Sequence, residues 1–137
     1  DHRHTPEIEQ SVARVGGLGA DAVSVLFTPH LAPMNRGILA TCYATAISDA
    51  DPLEILAKAY ADEPFVHVSE ALPSPKWTLG SNAVHVTARR DPRTGRVVAL
   101  AALDNLVKGA AGQMIQCANL MLGLDEAAGL PTCGVWP

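Results

Sequence analysis

At 137 residues the chain is long enough for one domain with a real core and too short for two of typical size. Hydrophobic residues at 48% and charged residues at 18% exclude a disordered chain, and no apolar run approaches the ~20 residues that span a bilayer. A net charge of −4, from 14 acidic and 10 basic residues, excludes a basic nucleic-acid surface. Aromatic residues are only 4%, so the core is expected to be built from Ala, Val, Leu and Ile. Patterned sequence begins directly at Asp1, with no initiator Met, and reads as a piece of something longer. Cys42, Cys117 and Cys133 are an odd number at wide spacing, with no CxxC pair. They suit neither a disulfide framework nor a zinc site, and a reduced, cytoplasmic setting without a metal is expected.

In chain order, Thr5 as a cap, Pro6 at the first helical position and Glu7 and Glu9 in the first turn predict a helix, with Ile8, Val12 and Val15 at helical spacing and Gly16-Gly17 as its stop. Residues 22–28 (AVSVLFT) predict a buried strand, Pro29 to Asn35 a loop, and residues 36–47 (RGILATCYATAI) a second strand. Asp51-Pro52 opens a helix that ends before Pro64, and residues 65–68 form a short strand. Residues 71–78, with Pro73 and Pro75, read as a loop. Residues 83–88 and 97–103 flank Asp91-Pro92-Arg93-Thr94-Gly95 as a hairpin, with Gly95 at a positive-φ position. A last helix covers residues 109–122, followed by an irregular tail. This order predicts an α+β fold: a mixed, largely antiparallel sheet with helices on one face.

Three places could carry chemistry. His2-Arg3-His4 puts two imidazoles around a guanidinium, which suits acid/base and anion-binding work, although a solvated chain end has the same composition. Glu7 lies one turn from His4 and could orient it. Arg36, at the mouth of a strand, suits a carboxylate or phosphate; an exposed loop charge is the plain alternative. The third place is Asp104-Asn105-Leu106-Val107-Lys108-Gly109-Ala110-Ala111-Gly112-Gln113. Here a strand gives way to a Gly/Ala-rich helix start whose free N–H groups, with Lys108, could meet an anion or a polar ring substituent; close helix packing is the alternative. Cys42 and Cys117 lie in apolar runs and are expected to be buried and inert. His67 and His85 alternate with valines and read as ordinary strand residues, and His30 sits in a loop.

Taken together, His2-Arg3-His4-Thr5-Pro6-Glu7-Ile8, Phe27-Thr28-Pro29-His30 followed by Arg36-Gly37-Ile38-Leu39, and the stretch from Asp104 to Gln113 resemble the N-acetyl-gamma-glutamyl-phosphate reductase family. Glu63-Pro64-Phe65-Val66, Gly80-Ser81-Asn82 and Asn119-Leu120-Met121 resemble it as well, in the family's order, so the likeness runs from residue 1 to about residue 130. The resemblance implies a cytoplasmic, NADPH-dependent reduction of N-acetylglutamyl phosphate to its semialdehyde, through a thioester on a cysteine that lies upstream of this chain. It implies that residues 1–105 belong to a substrate-binding and dimerising domain, and that residues 106–137 return to pack on a dinucleotide-binding Rossmann domain outside the chain. It implies a homo-oligomer, with no nucleic-acid or membrane partner. His4 matches the family's acid/base histidine, with Glu7 beside it. His2, Arg3, Arg36 and Lys108 are candidates for the substrate, and Asn105, Gly109 and Gly112 for NADP(H). The chain lacks the family's dinucleotide fingerprint and its Gly-Cys-Tyr motif, so alone it is expected to be inactive. The alternatives are an aminoadipyl-phosphate reductase of lysine biosynthesis and a non-catalytic oligomerisation module of the same fold.

Overall fold

The computed structural model describes residues 2–19 and 21–135. The chain forms two compact units, residues 1–33 and residues 34–137.

The first unit is built on helix α1 (Thr5–Val15). Its N-cap is His4, whose side chain makes no capping bond, so Thr5 is the first helical residue and not the cap the sequence suggested. Pro6 sits in the first turn, where a missing N–H costs nothing. Gly17, at φ 64°, turns the chain away after the last turn. Ala13 is buried, whereas Val12 and Val15 of the expected apolar stripe are exposed. Residues 22–28 are not a strand. Their alternation is real, since Val23, Val25 and Phe27 are half-buried between exposed neighbours, but no ladder pairs them. The Val25 N–H instead donates to the Glu9 carboxylate at 2.8 Å, tying the segment to α1.

The second unit is a mixed four-stranded sheet in the order β1-β4-β3-β2: β1 (Ile38–Thr45), β2 (Val66–Val68), β3 (Val84–Arg90) and β4 (Arg96–Leu103). β1 pairs antiparallel with β4, and β4 with β3; β2 lies parallel to β3. This is the expected α+β arrangement. The β3–β4 turn closes as the sequence indicated. The Asp91 carboxylate accepts from Arg93 N–H at 3.0 Å and Thr94 Oγ1 at 2.7 Å, and Gly95 takes φ 69°. The Thr94 hydroxyl, with the backbone donors, lowers the Asp91 pKa.

Helix α2 (Pro52–Ala59) packs on β3 and β2, and its N-cap Asp51 accepts from Leu53 N–H at 2.8 Å. Residues 71–78 are not all loop. Ser74 caps a single helical turn, α3 (Pro75–Thr78), which packs on β4 and β3; four residues carry too little periodicity to be read from sequence. After β4 comes a π-helical turn, Val107–Ala111, running straight into α4 (Gly112–Met121). The core is less aliphatic than composition suggested. Phe65, Ala83, Ala88, Ala102 and Leu130 share the buried positions with Thr78, Ser81, Asn82, Thr87, Asp104, Gln116 and Asn119. Many of the other large apolar side chains lie outside: Ile38, Leu39 and Tyr43 on β1, and Met114, Leu120 and Met121 on α4, are exposed.

Candidate functional site

In the first unit, α1 carries the histidine cluster at its N-terminus. The His4 backbone N–H donates to His2 Nδ1 at 3.3 Å, and the two rings meet edge-on, their centroids 4.9 Å apart. The other side of His2 meets Phe27 at 5.0 Å. His2 is half-buried in this packing, and His4 is exposed. Arg3 and Glu7 are exposed. Glu7 and His4 share no hydrogen bond or ion pair among the described residues, and Glu7 contributes instead as an acidic residue in the first turn of α1.

In the second unit, Arg36 comes to Asp104 across 68 residues of sequence. The guanidinium Nη2 donates to both carboxylate oxygens, at 2.9 Å to Oδ1 and 2.7 Å to Oδ2. Asp104 is fully buried and receives three backbone donors as well: Gly80 at 2.7 Å, Leu106 at 2.8 Å and Val107 at 3.0 Å. Burial works against its ionisation, but Arg36 and these N–H groups outweigh burial and hold the carboxyl down at about 2. One side chain thus joins the approach to β1, the turn after α3 and the start of the π-turn. Arg36 keeps Nη1 without a protein partner among the described residues, its side chain 30% exposed, so a charged donor remains for an anion. Beside it, Asn105 Oδ1 accepts from Gly37 N–H at 2.6 Å. Gly37 is the residue this join requires. It sits at φ 111°, and a Cβ there would lie 2.8 Å from Pro75 Cβ.

Lys108 faces inward. Its Nζ donates to Gln116 Oε1 at 2.7 Å and lies 5.5 Å from the centre of the Phe65 ring. Gln116 Oε1 also accepts from Asn82 Nδ2 at 2.9 Å, and Gln116 Nε2 donates to Glu126 at 2.5 Å. Burial lowers the Lys108 pKa, while Glu126 and Glu63 pull it up. Lys108, half-buried, thus links the π-turn to α4 through Gln116. Gly112 is also internal: a Cβ would fall 2.5 Å from Asn82 Oδ1 and 2.8 Å from the Val107 carbonyl. Its missing side chain serves packing between Asn82 and the π-turn, not an approach from outside. Gly109 is exposed and borders a shallow hollow on α4 with Gln113, Met114 and Cys117.

The thiols depart from expectation. Cys42 on β1 and Cys117 on α4 are both exposed. His67 and His85 are register partners on β2 and β3, with rings 5.0 Å apart and Trp77 5.8 Å from His85. Burial, then the charge of His67, lowers the His85 pKa. Sequence reasoning placed Asp104 and Asn82 in motifs without a role of their own and did not single out Gln116 or Glu126. The Asp-Asn pair ending a strand was the available signal for Asp104; the others depend on long-range pairing. No group of three or more metal-ligating side chains gathers among the described residues, and none of their helices is long and apolar enough to cross a membrane.

Comparison with known proteins supplies the wider frame. Residues 1–105 match the family described as semialdehyde dehydrogenase, dimerisation domain. A protein of Heliobacterium modesticaldum is 46% identical over 143 residues, covering 99% of this chain and 41% of its own length. One from Frankia casuarinae is 54% identical over 144 residues, covering 99% and 40%, and one from Saccharopolyspora erythraea is 51% identical with the same coverage. All three are named N-acetyl-gamma-glutamyl-phosphate reductase, and the chain spans about two fifths of their length. The chain belongs to the semialdehyde dehydrogenase dimerisation-domain family.

Proposed function

We propose that the chain is the C-terminal, substrate-binding and self-associating part of an acyl-phosphate reductase. The reaction converts N-acetylglutamyl 5-phosphate, NADPH and a proton to N-acetylglutamate 5-semialdehyde, NADP+ and phosphate. The observation that carries this reading is the match along 99% of the chain to proteins named for that activity. The geometry is compatible with it. His4 offers a surface imidazole as acid and base for a thioester step on a cysteine outside the chain, with His2 and Arg3 beside it. Arg36 offers a guanidinium anchored through one nitrogen and open at another, suited to the substrate's carboxylate or phosphate.

The nicotinamide supplies the hydride when bound. Of the three residues suggested for it, Asn105 keeps an amide donor and Gly109 is exposed, so both fit; Gly112 is filled in by Asn82 and does not. The apolar outer face of α4 is read as the surface that packs on the dinucleotide-binding domain, and β1, an unpaired sheet edge with exposed Leu39 and Tyr43, as part of the self-association surface.

The test is a substrate panel on a full-length protein carrying this chain. NADPH oxidation with N-acetylglutamyl phosphate is expected, with kcat/KM far above that for an aminoadipyl phosphate. Preference for the aminoadipyl compound would move the assignment to the lysine-pathway reductase. Inactivity on both acyl phosphates would leave the non-catalytic module.

A further inference from the structure

A closed set of contacts holds the start of α1 inside the first unit, and it carries an inference that rests on His4 as the acid/base group. Both peptide groups of His4 are engaged. Its N–H donates to His2 Nδ1 at 3.3 Å, and its carbonyl accepts from the Ile8 N–H at 3.0 Å. His2 meets the helix start a second time, its carbonyl accepting from the Thr5 N–H at 3.0 Å. Because His2 Nδ1 accepts, the proton of that ring sits on Nε2. The His2 ring then stands between two others. The His4 ring lies edge-on at 4.9 Å and 68°, and the Phe27 ring edge-on at 5.0 Å and 76°. Phe27 is half-buried, and the segment that carries it is tied back to α1 by the Val25 N–H on the Glu9 carboxylate at 2.8 Å. The contacts thus run from α1 through Val25 and Phe27 to His2, and from His2 to His4 at the N-cap.

An imidazole moves a proton in the transition state only from a narrow range of positions, so a side chain that limits its rotation acts on rate. We infer that Phe27 is a positioning residue for His4, acting through His2: it braces the His2 ring, and the braced ring limits rotation of the His4 imidazole. The Phe27 side chain has no polar atom to offer substrate or cofactor. Its loss therefore falls on the chemical step, and the binding of acyl phosphate and NADPH stays as it is.

The experiment is steady-state kinetics on the full-length reductase carrying this chain, with kcat and the KM for N-acetylglutamyl phosphate and for NADPH determined separately. Phe27→Leu, which keeps apolar bulk and loses the ring, is expected to lower kcat about tenfold, with both KM values within about twofold of the parent. Phe27→Tyr, which keeps the ring, is expected to hold kcat within about twofold. In a His4→Asn background Phe27→Leu is expected to add little, because the group it positions is already gone. Should Phe27→Leu fail to fold, Phe27→Met fills the site with an unbranched chain and no ring, and the same split is expected. A parent-level kcat in the folded ringless variant, a raised KM in place of a lowered kcat, a Phe27→Tyr loss as large as that of Phe27→Leu, or full additivity with His4→Asn overturns the inference. A parent-level kcat in His4→Asn alone instead removes the acid/base reading on which the inference rests.

Discussion

Asp104 is ionised while fully buried because five donor contacts converge on its two oxygens. This has a pH signature. A carboxyl held at about 2 in the folded chain and at its ordinary value near 3.8 in the unfolded chain favours folding above about pH 4, by about 2 kcal/mol. That contribution falls away as pH drops from 4 toward 2. Urea unfolding between pH 7 and pH 2.5 checks it: the unfolding free energy of Asp104→Asn should lose less over this interval than that of the parent. At pH 7 the same substitution leaves Arg36 without its counter-charge and turns an amide N–H toward backbone donors, for an expected loss of about 3–5 kcal/mol. Gly112 makes a second residue-scale case. An added methyl would overlap Asn82 and the backbone of Val107, so Gly112→Ala should cost about 1–3 kcal/mol by thermal or urea melt, although alanine ordinarily favours a helix over glycine. At this scale the sequence showed which residue types gather after β4 but not their partners. Gln116 joins Asn82 across 34 positions, and Arg36 joins Asp104 across 68, separations at which spacing carries no signal.

The elements whose signals are local were legible before the fold was known. Asp51-Pro52 marks α2, and Asp91 to Gly95 marks the β3–β4 turn. Misreadings came where tertiary partners decide. Residues 22–28 have strand composition but form no ladder among the described residues, and Glu9 accepts a hydrogen bond from the Val25 N–H. Cys42 reads as buried because its run is apolar, yet β1 is an outer strand with exposed side chains, and an apolar edge invites a partner. This leads to an element-scale prediction. Replacing Tyr43, 69% exposed at that edge, with Lys should weaken self-association of the full-length protein and leave its far-UV circular dichroism unchanged. Sedimentation velocity across a concentration series reads the shift toward smaller species; an unaltered distribution would remove β1 from the interface.

At the scale of the whole molecule, the chain is a family member that covers about two fifths of its relatives' length, and its surfaces suit that share. Met114, Leu120, Met121 and Leu122 on and after α4 are exposed, and contiguous exposed apolar side chains mark an interaction surface. Sequence located the candidate acid/base group, His4, and the candidate anion group, Arg36, because the motifs around them are contiguous. It carried no signal of the Asn82–Gln116–Glu126 network, which Lys108 joins through Gln116 and against which Gly112 is packed at Asn82. The central claim is that this chain carries the acid/base half of an acyl-phosphate reductase. The most direct measurement is the kcat of His4→Asn in a full-length protein carrying the chain, following NADPH oxidation with N-acetylglutamyl phosphate, with the melting temperature recorded alongside. The expected result is a kcat lowered by about 100-fold or more at an unchanged melting temperature. A kcat equal to the parent's would contradict the account.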